Sequence, residues 1–348
     1  MGERGKQRQQ RFSAVRVVLG LLVMTMLVHL WFFTAVRESE GSSASITPST
    51  TADKKSYKDI FQRRGELYNK AMLRSPEARL QELMPLLNEL HLQPGDELID
   101  APAGGDYVAE GVIKYLPESI SSSIRIMSVE PSTVFSQTGS ASGGHGEVAT
   151  FLHDASRVRH LNAPLTDIPL PPGSGTKLSS LAGLHHLSFT EKLKFFDEAF
   201  RLLTPGGRAV VADVGTGTPA AGFLNDVADR LTVTGHKGMF FREGELAAMM
   251  ERSGFVDVHE EYVPLDWAFK TETELLLFVR DLFGLEVTFQ DTHSPDDAVV
   301  LERVKKEVRR YLNYRVVDAG TAVERALLPW GLRYVVGNKP TKPATFLP

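Results

Sequence analysis

The longest apolar run in the chain lies near its start. Val17 to Val36 reads VVLGLLVMTMLVHLWFFTAV, with His29 as the one titratable side chain. A helix needs about 20 apolar residues to cross a hydrocarbon core of ~30 Å, so a single transmembrane helix is predicted over 17–36. Trp31, Phe32 and Phe33 lie near one end, where aromatic rings favour the interface. The run exceeds the ~7–15 apolar residues of a signal-peptide core, so it is read as an uncleaved anchor. A basic tail, 1–16, precedes it with Arg4, Lys6, Arg8, Arg11 and Arg16, and Glu38 and Glu40 follow. That bias keeps the N-terminus cytoplasmic and sends the rest across. Residues 37–56, rich in Ser, Thr, Ala and Gly, read as a flexible linker.

From Tyr57 onward the pattern alternates between helical and strand periods. Tyr57 to Leu73 has helical spacing, and Ser75-Pro76 is read as cap and first turn of a helix running to Leu92. A strand is predicted over 97–101, a helix over 107–115 and a strand over 124–130. The segment LSSLAGLHHL, from Leu178 to Leu187, is read as a buried strand that presents His185 and His186 at its carboxyl end. Ser188-Phe-Thr-Glu191 is a capping box opening a helix to Leu203, Pro205-Gly206-Gly207 stops it, and RAVVADV to Val214 is another strand. A helix over 243–253, a strand over 256–263 and a last strand over 332–336 complete the pattern. They leave 264–329 as an insertion with helices over 272–283 and 295–312, expected to form a lid over the ligand edge. Strands alternating with helices predict an α/β fold with a largely parallel sheet.

Composition narrows the chemistry. The 348 residues are 42% hydrophobic, enough for a sizeable core, and the net charge of −4 argues against a general electrostatic role on nucleic acid. The chain has no cysteine, which removes disulfides, thiolate catalysis and cysteine-ligated metals. His145, in the GSASGGHG loop, has no evident partner, so no metal site is expected.

The candidate ligand site begins at ELIDAPAGGDY, Glu97 to Tyr107. Gly104 and Gly105 follow a strand and precede a helix, a place where backbone approaches a nucleotide-like ligand closely if side chains are absent. Glu130 ends the next strand, where an acid accepts both hydroxyls of a ribose. The same residues suit a plain turn and a solvated acid, and their combination favours the ligand reading.

The series IDAPAGG, VEPS, LAGLHHLS, EAFRLLTPGGRAVVADV and MMERSGFVDVHEEYV resembles a class I S-adenosylmethionine-dependent methyltransferase of the type 11, UbiE-like, group, over about 86–262. The resemblance implies a Rossmann-like, seven-stranded, mostly parallel sheet with flanking helices, and a methyltransferase domain over 57–340. It implies S-adenosyl-L-methionine as cofactor, with the loop from Asp100 through Ala101, Gly104 and Gly105 holding its methionine and ribose portions, Glu130 the ribose hydroxyls and Asp167 the adenine. Two departures stand out: Pro102 and Asp106 occupy the first and third glycine positions of the family's D-x-G-x-G-x-G loop, where Asp106 would either pair with the cofactor's ammonium or repel its carboxylate, and Thr176-Lys177 stands where the family commonly has Phe-Asp before the fourth strand. Where an acceptor needs deprotonation, His186 or His185 is the candidate base, with His236 as a second choice. The expected function is a membrane-anchored methyltransferase (EC 2.1.1.-) acting on a small-molecule or lipid-like acceptor. The alternative is a non-catalytic protein of the same fold tethered to a membrane. An NAD-dependent oxidoreductase is disfavoured by the incomplete G-x-G-x-x-G. A single-pass membrane location is expected, the side carrying the domain and the oligomeric state being left open.

Overall fold

The computed structural model describes residues 57–136, 157–232, 234–285 and 297–341. Among them no helix is long and apolar enough to cross a membrane. The predicted span 17–36, the linker 37–56 and His145 lie outside the described residues.

Two helices lead in: α1 (Tyr57–Arg74) and α2 (Leu80–Leu90). The expected start at Ser75-Pro76 becomes a turn, and α2 opens only at Leu80. Strand β1 (Glu97–Asp100), helix α3 (Tyr107–Tyr115), β2 (Arg125–Val129), β3 (Val158–Leu161) and β4 (Gly175–Leu181) follow. Helix α4 (Phe189–Leu202) begins with the predicted capping box: the Glu191 N–H donates to Ser188 Oγ, and the Ser188 N–H donates to Glu191 Oε2 at 2.7 Å. Then come β5 (Leu203–Val214), α5 (Glu245–Arg252), β6 (Val256–Phe269), α6 (Glu272–Phe283), α7 (Asp297–Leu312), β7 (Arg315–Val317) and β8 (Arg325–Asn338).

The sheet runs β3-β2-β1-β4-β5-β8-β6, parallel through β5, with β8 antiparallel to β5 and β6 antiparallel to β8. It has eight strands rather than the expected seven. The extra one is β7, a short piece of the insertion whose backbone pairs with Arg325 to Leu327 at the start of β8. Strands β6 and β8 extend past the predicted ends because their partly buried alternating residues continue to pair as far as Phe269↔Ala326. β3 was not anticipated at all.

The sheet is packed on both faces. Leu83, Leu86, Leu87 and Leu90 of α2 recur at helical spacing and are all but fully buried in one core with Leu98, Val210 and Ala212. Phe195, Phe196, Ala199 and Leu202 of α4 bury against Ile99, Leu178 and Val211 on the other face. Helix α1 packs along α6. Because β1, β2 and β4 pair in register at Asp100, Ser128 and Ser179, their carboxyl ends form one edge, and the turns that follow them converge there.

Candidate active site

At the end of β1 the backbone turns through Ala101, Pro102 and Ala103 to Gly104, whose φ of +54° suits glycine and beside which an added Cβ would meet nothing within 4 Å. Gly105 has a neighbour instead: a Cβ there would come within 2.7 Å of Asn69 Oδ1, so α1 lies against the glycine loop. Asp106 caps α3 in the left-handed region at φ 65°. Its carboxylate is turned aside to His160 Nε2 of β3 at 2.7 Å, and this hydrogen bond raises the pKa of His160. One Asp106 oxygen is thereby engaged within the protein, while Oδ1 is buried without a hydrogen-bond partner and the charge still raises the pKa of Asp100 and Glu130.

Glu130 follows β2 and is buried. It accepts from the N–H of Gly104 at 2.9 Å, the N–H of Ser132 at 2.8 Å and the hydroxyl of Tyr57 at 3.0 Å. Burial pushes its pKa up to about 7, against the pull of those donors. Asp100 is also buried, accepts from Ser179 Oγ at 2.6 Å, and is pushed by desolvation to about 8. Two carboxyl groups whose ionisation is suppressed by burial therefore flank the loop, and a cationic ligand would restore their charge.

The end of β4 presents His185 and His186 as predicted, in a single 3₁₀ turn, Leu184–His186. What holds that turn is Asp213, near the end of β5. It is fully buried and accepts from the N–H groups of Leu184 (2.8 Å), His185 (3.1 Å) and Val214 (2.6 Å), and it meets His185 Nδ1 at 2.7 Å. As an acceptor to three backbone donors it acts as a carboxylate, which assigns the proton to His185 Nδ1 and the lone pair to Nε2. The His186 ring lies 4.2 Å from that of His185 and edge-on to Phe61 and Tyr57 of α1. His236 completes the group, its ring 5.3 Å from His185 and 4.9 Å from His186. Burial, then the neighbouring His185 and Arg64, hold it well below the usual histidine pKa, so it is neutral.

These residues line a cavity of about 80 Å³, together with Pro102, Ala103 and Gly104 of the loop, Phe61 and Arg64 of α1, and Leu282 and Phe283 at the end of α6. Trp267 and Trp330, stacked at 4.2 Å, form another wall. Of the sequence-predicted site residues, Gly104, His185 and His186 line it, while Asp100, Ala101, Gly105 and Glu130 do not. Asp167 is exposed on the segment after β3 and does not reach the cavity. Sequence reasoning missed Tyr57, Arg64 and Asp213. Arg64 had left a trace: it falls on the apolar stripe of α1, four residues after Ile60 and four before Tyr68.

Residues 111–211 match the family described as Methyltransf_11, a methyltransferase domain. Over that stretch the chain is similar to methyltransferase domains. The matched stretch holds Glu130, Asp167, His185, His186 and β5 as far as Val211, with Asp213 just beyond its end and the glycine loop just before its start. No curated protein matches the chain. Among solved structures it is similar to phosphoethanolamine N-methyltransferase 2 of Haemonchus contortus bound to phosphomonomethylethanolamine and S-adenosylhomocysteine, at 15% identity and TM-score 0.51, over 82% of this chain and 60% of that one. The same enzyme bound to S-adenosyl-L-methionine gives 15% identity and TM-score 0.51, over 84% and 61%. This chain thus spans about three fifths of that protein, and at such identity the likeness concerns the fold.

The donor set fits the cofactor. Glu130 offers a buried carboxylate at the tip of β2, Gly104 leaves open space, and Asp100 stands at the loop's start. The fit requires α1 to shift. Tyr57 shares Glu130, and the cavity is smaller than the ~300 Å³ at which ligand pockets begin.

Proposed function

We propose that this chain transfers a methyl group from S-adenosylmethionine to a small-molecule or lipid-like acceptor, with His185 taking the acceptor's proton. The observation that carries the reading is the buried His185–Asp213 pair beside the glycine loop. The cofactor supplies a methyl group already activated on a sulfonium, so the chain's main task is to orient and exclude water, an effect worth ~7–11 kcal/mol when alignment is good. Asp213 fixes the tautomer that leaves His185 Nε2 free to accept a proton, a role that contributes ~10²–10⁴ in rate. His186 was the first choice from sequence; the carboxylate behind His185 makes it the better-positioned base. Helix α1 and the end of α6 close over the site as a lid.

The segment 17–36 would tether the domain to a membrane and favour an apolar acceptor. Protease protection of a C-terminal tag assigns the side, and equal turnover of a water-soluble acceptor by anchored and truncated forms would argue against a role for the tether. The function itself is tested by incubating the chain with S-adenosylmethionine and candidate acceptors and looking for products in which a methyl group has replaced a proton, a gain of CH2 in mass, with His185→Gln as the control. Formation of product at the same rate by that variant removes His185 from the chemistry.

A second reading, a tethered protein of this fold without activity, draws on the Tyr57–Glu130 hydrogen bond that occupies the ribose position. Failure of the chain to bind S-adenosylhomocysteine at millimolar concentration would favour it.

A further inference from the structure

Arg64 has no part in the scheme above. Its side chain is buried, with the residue 6% exposed, and lines the cavity among aromatic rings, its guanidinium carbon 5.5 Å from the centroid of Phe61. One nitrogen makes a long contact of 3.4 Å to the carbonyl of Leu282, while Nε and Nη1 are buried without a hydrogen-bond partner. Among the described residues no carboxylate pairs with it. Burial lowers its pKa only to about 10, so it is charged at neutral pH. The fold treats its other buried arginine quite differently: Arg79 Nε donates to Glu82 at 2.5 Å and Arg79 Nη1 to the Tyr68 hydroxyl at 2.8 Å. A buried charge without a partner is among the costliest things a core can hold, so one such group facing a cavity marks a ligand of opposite charge.

A second unpartnered group lies beside it. His236 Nδ1 is buried without a partner, and its backbone N–H is held by Asp229 Oδ1 at 2.8 Å. We propose that Arg64 and His236 form an anion subsite in the acceptor half of the cavity, so that the methyl acceptor carries a carboxylate or phosphate group bound there beside His185. This rests on the methyltransferase reading.

The anion belongs to the acceptor rather than to the cofactor's own carboxylate because of where Arg64 sits. It packs against the residues after α6, where a Cβ on Gly284 would meet its Cγ at 3.1 Å, and it lines the same cavity as His236, whose pKa its charge lowers. The glycine loop is covered instead by Asn69 and, through Glu130, by Tyr57. The histidines raise a competing idea, since His185, His186 and His236 have ring nitrogens within 4.8 Å of one another, the makings of a metal site. The guanidinium next to His236 opposes a cation there and favours an anion.

The test uses the full-length chain saturated with S-adenosylhomocysteine, followed by thermal shift and by the fluorescence of Trp267 and Trp330. Benzoate and phenyl phosphate should raise the melting temperature, whereas benzamide and benzylamine should not; which anion is preferred separates carboxylate from phosphate. Arg64→Met should bind the preferred anion at least about tenfold more weakly, the loss expected of charge-assisted hydrogen bonds. It should also raise the melting temperature of the free chain, because an uncompensated charge has been removed. Arg64→Lys, which keeps the charge without the fork, should retain a weaker response. Anion binding that persists in Arg64→Met overturns the subsite, as does a stabilising effect of zinc that is lost in His236→Gln. A loss of S-adenosylhomocysteine affinity of about tenfold or more in Arg64→Met assigns the guanidinium to the cofactor and overturns the acceptor assignment. Failure of wild type to bind S-adenosylhomocysteine counts against the methyltransferase reading alone, because the anion titration can still be run on the free chain.

Discussion

Replacing Asp213 by Asn probes the part of the site on which the chemistry depends. The two carboxylate oxygens accept four N–H groups, three of them backbone. An amide keeps one oxygen. If it sits at Oδ2, the N–H groups of Leu184 and His185 remain satisfied, and the amide nitrogen faces the N–H of Val214 and the His185 ring. The Val214 N–H then loses its acceptor in a fully buried place, costing about 1–3 kcal/mol. The opposite orientation orphans two backbone donors and is worse. At ~2–4 °C per kcal/mol for a domain of this general size, the melting temperature should fall by roughly 2–12 °C. His185 would adapt by accepting at Nδ1 and moving its proton to Nε2, and it then has no lone pair to offer a substrate. Two-dimensional ¹⁵N spectra of histidine-labelled protein distinguish the two tautomers, and differential scanning fluorimetry reads the stability. An unchanged melting temperature together with a retained Nδ1–H tautomer in Asp213→Asn would refute the positioning argument.

Further outcomes are expected. Glu130→Gln should weaken S-adenosylhomocysteine binding by about 10–100-fold in calorimetry, since either the Gly104 or the Ser132 N–H is orphaned and the carboxylate proposed to hold the ribose is lost. Once an acceptor is found, His185→Gln should lower kcat by about 10²–10⁴ with cofactor affinity retained, whereas His186→Gln should cost less. Asp100 and Glu130 both have raised pKa values, about 8 and about 7, so the folded free chain binds more protons than the unfolded one. Their contribution to stability is largest below the usual carboxylate range and is lost as pH rises through about 7 to 8. The melting temperature of the free chain should accordingly fall between pH 5.5 and pH 8.5 on the scale set by those two pKa values. Over the same interval S-adenosylhomocysteine should bind more tightly and release protons, which calorimetry in buffers of different ionisation enthalpy will measure.

Much of this architecture was legible in the sequence because its signals are local. The short apolar cores of β1, β2 and β5, the Leu178 and Leu181 positions of β4, the Ser188 capping box and the glycine pair each declare themselves within a few residues. β3 escaped because Val158–Leu161 is four residues long, with Arg159 and His160 exposed, so neither period nor length marks it. β7 escaped because three residues pair with a strand already in place. The site was legible only in part, since its decisive contacts span the chain. Asp213 reaches back 28 residues to His185, Tyr57 reaches 73 residues forward to Glu130, and His236 joins a pair of histidines from a separate loop. The partner of Asp106 is equally distant in sequence: His160, 54 residues on, meets its Oδ2.

Binding of S-adenosylmethionine at this edge of the sheet is measured by isothermal titration of S-adenosylhomocysteine into the purified full-length chain. One saturable site per chain is expected, weakened in Glu130→Gln; no heat of binding at millimolar ligand, or binding of equal strength in that variant, rules such a site out.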